Sequence, residues 1–170
     1  MRCSPLKRAL AVKSNKELEM ELKYRSADFE DLESLVALLS NDPLGSKRED
    51  ASVPLNSAYI EAFEAITRDP NNELLVVELE DSLVGMLQIT FIPYLTHIGS
   101  WRCLIEGVRI HSDYRGQGFG EQMFAHAIEL AKSKGCTIVQ LTSDKQRPDA
   151  IRFYEKLGFK ATHEGFKLAL

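Results

Sequence analysis

The chain lacks the features that mark several whole classes of protein. It has only three cysteines in 170 residues, Cys3, Cys103 and Cys136. An odd, widely spaced set does not make a disulfide framework and points to a reducing compartment. No Cys/His spacing resembles a zinc site, so no metal is expected. No apolar run approaches the ~18 residues of a membrane-spanning helix, so no membrane partner is expected. The formal net charge is −4 and no long basic block is present, which argues against broad electrostatic capture of nucleic acid. There is no internal repeat, low-complexity run or interdomain linker. What is there is ordinary for a globular chain, 44% hydrophobic and 27% charged, in a length that suits one domain with a substantial core. Together these traits predict a cytoplasmic protein.

The first 16 residues hold Arg2, Lys7, Arg8, Lys13 and Lys16 and no acid. They lack the apolar core of a secretory signal. Residues 1–20 are therefore expected to be a disordered tail, with Met20 an alternative start and the domain spanning 21–170.

From Glu21 onward the patterning is regular. Glu21–Ser26 alternates as a strand. Phe29, Leu32, Val36 and Leu39 mark a first helix, capped by Ser26 or Asp28. A polar loop from Asn41 to Pro54 leads to a second helix from about Asn56 to Arg68, with Tyr59, Phe63 and Ile66 as its stripe. Glu73–Leu79 and Leu83–Ile92 read as a hairpin. Pro93–Gly99 is a loop and Ser100–Ile110 the next strand. A third helix, Gly118–Lys134, stops at Gly135. Thr137–Ser143 is a strand, and Pro148 opens a fourth helix that Gly158 ends. Phe159–Thr162 and Phe166–Leu170 are expected to pair as final strands. The predicted order is β-α-α-β-β-β-α-β-α-β-β.

One stretch carries more chemistry than the rest. Arg115-Gly116-Gln117-Gly118-Phe119-Gly120 lies between a strand and a helix. Closely spaced glycines let backbone N–H groups converge, and the helix N-terminus adds positive potential, so the segment suits a phosphate. Arg115 can add a charged fork. A dinucleotide fingerprint would need glycine at 121, which is Glu121, and no Gly-Lys-Ser/Thr follows as a P-loop requires.

The remaining pattern, Arg115-x-x-Gly118-x-Gly120, resembles the acetyl-CoA pyrophosphate loop of the GNAT superfamily of N-acetyltransferases. Ala150-Ile151-Arg152-Phe153-Tyr154-Glu155-Lys156-Leu157-Gly158-Phe159 is similar to the second motif of that family, A-x-x-F-Y-x-x-x-G-F. The resemblance covers Glu21 to Leu170. It implies an α/β (α+β) domain with a mixed, mostly antiparallel central sheet flanked by helices. It also implies acetyl-CoA as cosubstrate, held by Arg115, Gly116, Gln117, Gly118, Phe119 and Gly120. The pantetheine arm would add like a strand to the backbone of Val108, Arg109 and Ile110. Gly107 fits a bulge that opens that edge.

Direct transfer to an amine has two proton problems. The departing thiolate must gain a proton, and an ammonium acceptor must lose one. A thiol titrates near ~8.5 and a phenol near ~10, so a phenol can protonate the thiolate. The family resemblance gives that role to Tyr154. Glu106 is the candidate base, since some members carry an acid at the matching place, including glucosamine-6-phosphate acetyltransferases. His97 and His111 are weaker candidates. No cysteine lies in the two motifs to suggest a covalent acyl-enzyme.

The acceptor is less legible. Glu49, Asp50, Tyr59, Phe63, Tyr94, His97 and Trp101 suit a cationic amine, whereas Lys47 and Arg48 suit an anionic one. Many family members have asparagine where this chain has Arg147, so Arg147 either replaces that cofactor contact or faces water. The central layout resembles aminoalkylphosphonate acetyltransferases. The run Thr142–Ala150 and His163-Glu164-Gly165 look like a subgroup of small bacterial members, some labelled transcriptional regulators. The leading expectation is acetylation of a small-molecule primary amine. The alternatives are a peptide amine, a non-catalytic acyl-CoA-binding module or a regulator. A homodimer is expected by resemblance alone.

Overall fold

The computed structural model describes residues 21–170, so the expectations about residues 1–20 lie outside the described residues. The elements are β1 (Lys23–Ser26), α1 (Leu32–Ser40), α2 (Ser57–Arg68), β2 (Asn72–Leu79), β3 (Ser82–Pro93), β4 (Trp101–Ile110), α3 (Phe119–Ser133), β5 (Cys136–Leu141) and α4 (Pro148–Lys156). The strands form one sheet in the order β1-β2-β3-β4-β5. Neighbours are antiparallel except β4 and β5, which are parallel and joined through α3.

The pleat sends alternate residues of β2 to opposite faces. Leu75 and Val77 join Leu87, Ile89, Cys103 and Ile105 beneath α3. Leu74 and Val76 join Met86 beneath α1 and α2. Helices thus cover both faces, which explains why β2 reads as a nearly continuous apolar run. α3 contributes Phe119, Met123, Phe124, Ala127 and Ala131, all buried on one helical face. At the opposite edge, Arg25 on β1 grips Asp31 with Nη1–Oδ2 at 2.6 Å and Nη2–Oδ1 at 2.9 Å, and reaches Glu78 on β2 at 2.7 Å.

Helix ends follow the local chemistry. Asn56 caps α2 by accepting from the Ala58 N–H at 3.0 Å. Gly135 stands at φ +76° just past α3, the left-handed geometry of a helix stop. The β2–β3 hairpin turns on Glu80 and Asp81 at φ +49° and +62°, the paired positive φ of a type I′ turn. A short 3₁₀ turn at Phe29–Asp31 precedes α1. Phe29 is consequently 54% exposed rather than part of the α1 core face, though its ring meets Phe63 edge-on.

The expected final strands, Phe159–Thr162 and Phe166–Leu170, are not formed. Phe159 is anchored: its N–H donates to Tyr154 O at 3.0 Å and its ring packs on Phe124. Beyond it, residues 160–170 are exposed and without regular structure. Alternating apolar residues make strands only with a sheet edge to pair against and a face to bury, and a lone hairpin is marginal. Here the outer edge of β5 stays unpaired and Phe166, Leu168 and Leu170 point into solvent.

Candidate active site

The site begins with a defect in β4. Met86 pairs with Arg109 and Gln88 with Glu106, so Leu87 alone stands opposite Gly107 and Val108. This is a β-bulge, and Gly107 takes the positive φ, +60°, that it requires. The extra residue reverses the side-chain alternation. Val108 and Ile110 pack under α3 with Ile105. Glu106 and Arg109 therefore share the opposite face, toward α1 and α2.

Beyond the bulge β4 loses its neighbour. Its pairing with β5 ends at Ile105–Leu141. Residues 106–110 keep β3 on one side and present a free edge on the other. An extended arm with backbone-like amides can add there as a strand. The edge leads directly to the glycine loop.

That loop takes left-handed backbone at two glycines. Gly116 and Gly118 stand at φ +74° and +81°, and no heavy atom lies within 4 Å of where either Cβ would be. Gly118 starts α3 without a side-chain cap. Among the described residues, the N–H groups of Phe119 and Gly120 meet no hydrogen-bond acceptor. Unfilled space above donors at a helix N-terminus fits a pyrophosphate. Gly120 has a different task. A Cβ there would lie 3.2 Å from Phe153 Cζ, so glycine lets α4 close on the α3 N-terminus. The two sequence motifs meet at this contact, and the Lys156–Glu121 pair at 3.0 Å closes the same seam.

Arg115 is engaged with the backbone. Its Nε donates to Ile110 O at 3.0 Å and its Nη2 to Asn41 O at 3.2 Å. It ties the loop to the end of β4 and to the chain leaving α1. Gln117 donates to Asp113 O at 3.0 Å and steadies the preceding turn. His111 accepts from the Asp113 N–H at 3.4 Å, so it caps that turn.

Tyr154 projects from α4 into an aromatic nest of Phe124, Phe153 and Phe159, with ring centroids 5.5–6.2 Å away. Burial raises its pKa above the ordinary phenol value, against the opposing influence of Arg147 and Arg109. The phenol therefore keeps its proton at neutral pH, as a donor must. Glu106 is exposed on its face of β4. The nearby arginines are otherwise occupied: Arg102 lies 5.3 Å over the Tyr94 ring and Arg109 pairs with Asp42. A free carboxylate beside the open edge can accept a proton.

The proposed acceptor residues separate into two groups. Tyr59 and Phe63 line an apolar cavity of about 160 Å³ between α1, α2 and the sheet, and Gly107 forms part of its wall. Glu49 holds this region together by accepting from the Tyr59 hydroxyl at 3.0 Å. Tyr94, His97 and Trp101 lie elsewhere, around the start of β4. At a rise of about 3.3 Å per residue, Trp101 is roughly 30 Å along the strand from Ile110. The structure does not bring that aromatic group to the glycine loop. His97 stands instead at φ +53° in a tight left-handed turn with Ile98 and Gly99.

One residue at the site escapes the sequence pattern. Asp42 lies in the polar loop after α1, and its Oδ1 accepts from the N–H groups of Leu44 and Gly45, each at 2.9 Å. It also binds two arginines from distant elements, Arg147 at 2.7 Å and Arg109 at 2.9 Å. Arg147 is thus not a plain water-facing residue, because Asp42 holds its guanidinium. Burial opposes the Asp42 charge, but the two loop N–H groups and both arginines outweigh it and lower the pKa. The Asp-Pro-Leu-Gly turn was a local hint in the sequence. Nothing local indicated its partners.

The chain is similar to known proteins in sequence and in fold. A model of the acetyltransferase (GNAT) family matches residues 32–159. An aminoalkylphosphonate N-acetyltransferase of Salmonella typhimurium is 32% identical over 113 residues, 66% of this chain and 73% of that protein. A glucosamine 6-phosphate N-acetyltransferase of Trypanosoma brucei brucei is 35% identical over 88 residues, 52% of this chain and 58% of its own length. A solved structure described as a transcriptional regulator from Bacillus halodurans C-125 is 55% identical, with a TM-score of 0.85 over 88% of this chain and all of that one. With the family match running from α1 through Phe159, across the bulge, the glycine loop and the Phe-Tyr motif, this chain belongs to the acetyltransferase (GNAT) family and is an acyltransferase.

Proposed function

We propose that the protein moves an acetyl group from acetyl-CoA to the primary amine of a small molecule by direct attack. The observation that carries this reading is the free β4 edge at 106–110, running from the bulge to the uncapped start of α3. Bound acetyl-CoA supplies the acetyl group as a thioester. The backbone of Val108, Arg109 and Ile110 aligns the pantetheine arm. The amides of the glycine loop hold the pyrophosphate, and Arg115 keeps that loop in register with β4. Glu106 takes the proton from the acceptor ammonium, directly or through water, and the freed nitrogen attacks the carbonyl carbon. As the carbon–sulfur bond breaks, Tyr154 gives its proton to the sulfur, and the surplus proton on the new amide nitrogen returns, directly or through water, to the Tyr154 phenolate. Among the described residues, no group of three His, Cys, Asp or Glu side chains is arranged to hold a metal ion.

A small acceptor is favoured by the modest volume, about 160 Å³, of the half-open cavity beside Gly107, which suits a compact body better than a peptide. A cytoplasmic setting and a homodimer belong to the same proposal. No described helix is long and apolar enough to cross a membrane. The open β5 edge and the exposed Phe166, Leu168 and Leu170 support a second copy.

The deciding experiment measures thiol release from acetyl-CoA across polyamines, amino sugars, aminoalkylphosphonates, amino acids, aminoglycosides and peptides, with calorimetric acetyl-CoA binding in parallel. Turnover of a small amine is the expected result. Turnover of peptides alone would move the function to protein acetylation. Binding without any turnover would indicate an acyl-CoA-binding module. Salt-dependent binding to duplex DNA, without turnover, would indicate a regulator.

A further inference from the structure

The Arg109–Asp42–Arg147 cluster carries more positive charge than it neutralises. Two guanidiniums share one carboxylate. Arg48 and Glu49, the other charged groups acting on Arg109, act with opposite signs. Arg115 adds a further cation by reaching the carbonyl of Asn41, next to Asp42. The side chain of Arg109 is only 9% exposed, that of Asp42 12% and that of Arg147 28%. Arg109 places Nη1 on Val108 O at 2.8 Å and Nη2 at 2.9 Å from Asp42 Oδ2, an ion pair without hydrogen-bond alignment that leaves Oδ2 and the buried Arg109 Nε each without a hydrogen-bond partner. A buried excess charge with an unused donor is costly unless an anion completes it.

The cluster borders the elements that carry Glu106 and Tyr154, and both of its arginines act electrostatically on the Tyr154 phenol. Arg109 follows the bulge on the same face of β4 as Glu106. Arg147 immediately precedes α4, the helix that carries Tyr154. Three separate parts of the chain converge here: the loop after α1, the end of β4 and the start of α4. We propose that Arg109 and Arg147, clamped by Asp42 beside Tyr154, hold an oxyanion of the acceptor, so that the substrate is a small amine that also bears a carboxylate, phosphate or phosphonate. Guanidinium forks match such groups in two-point geometry. The inference rests on the acetyl-transfer reading above and gives the acceptor its chemical class.

The test uses the full-length protein and two readouts. In the first, methylphosphonate is titrated calorimetrically into protein saturated with CoA, which fills the donor's phosphate sites. Binding is expected, with at least a tenfold loss in Arg147→Gln and partial recovery in Arg147→Lys. No binding, or binding that CoA abolishes, overturns the proposal; the second result would give the arginines to the cofactor. In the second readout, 2-aminoethylphosphonate, O-phosphoethanolamine and β-alanine are compared with propylamine and ethanolamine. At least one acidic amine should exceed the neutral ones by tenfold or more in kcat/KM, and Arg147→Gln should remove that preference through KM. Equal use of acidic and neutral amines, or a preference unchanged in the variant, would leave the arginines as a structural brace. If CoA itself fails to bind, the donor-site reading falls. Methylphosphonate titrated into the protein alone then still decides the arginine pair.

Discussion

At the scale of single residues, the proposed transfer rests on two groups held in different surroundings. Tyr154 sits among aromatic rings, and burial raises its pKa. It acts in its protonated form, so its contribution should persist through neutral pH and fall only above the ordinary phenol range. Tyr154→Phe should keep acetyl-CoA affinity and lower kcat by about 10²-fold or more; unchanged turnover would remove Tyr154 from the acid role. Glu106 is exposed and free of the neighbouring arginines. Without a base, the reaction must wait for the amine to deprotonate in solution. Glu106→Gln should therefore shift the pH–rate profile upward, and a profile that stays in place would assign the base elsewhere. Tyr154 was singled out in the sequence through the A-x-x-F-Y motif, and Glu106 through the acid that some family members carry at the matching place. Asp42 was not, because its partners are more than 60 positions away in the chain.

At the scale of elements, the decisive feature is how β4 ends. Its first half is sealed between β3 and β5, and its second half is sealed on one side only. Gly107 predicted the bulge because a residue at φ +60° in a strand is best supplied by glycine. The loop that follows is braced by Arg115 through Ile110 O and Asn41 O. Arg115→Ala should therefore weaken acetyl-CoA binding, by about tenfold if one charge-assisted bond of ~1.5 kcal/mol is lost. Calorimetry of the variant checks this, and an unchanged affinity would show that the loop amides suffice. Elements with a local cause were legible: α2 with its Asn56 cap, the hairpin with its Glu80-Asp81 turn, and α3 with its Gly135 stop. The final strands were not, because alternation at 166–170 says nothing about whether an edge is within reach.

At the scale of the whole molecule, the sheet has two open edges of different kinds. The inner edge of β4 faces the glycine loop and is suited to the donor. The outer edge of β5 carries Ile138, half exposed, with an apolar C-terminal segment nearby in sequence but unpaired. Exposed strand edges and apolar side chains favour association. Light scattering should give twice the 19.2 kDa chain mass, and truncation after Gly165 should shift the mass toward the monomer. A monomer mass for the intact chain would reject the homodimer.

The sequence by itself determined the helices and strands up to α4, the phosphate-binding turn and the Phe-Tyr motif. Each is set by residues within a few positions of one another: glycines that permit positive φ, caps that satisfy N–H groups, and apolar residues at the period of their element. The tertiary structure alone decided what those pieces face. It turned Glu106 and Arg109 to one side of the sheet through the bulge, stopped β5 short of the second half of β4, and brought Arg109 and Arg147 onto Asp42. It also carried Tyr94, His97 and Trp101 to the end of β4 away from the glycine loop. Contacts between distant segments depend on sheet order and on the direction of each strand. Local pattern does not encode these, because the same alternation of residues fits either face and either neighbour.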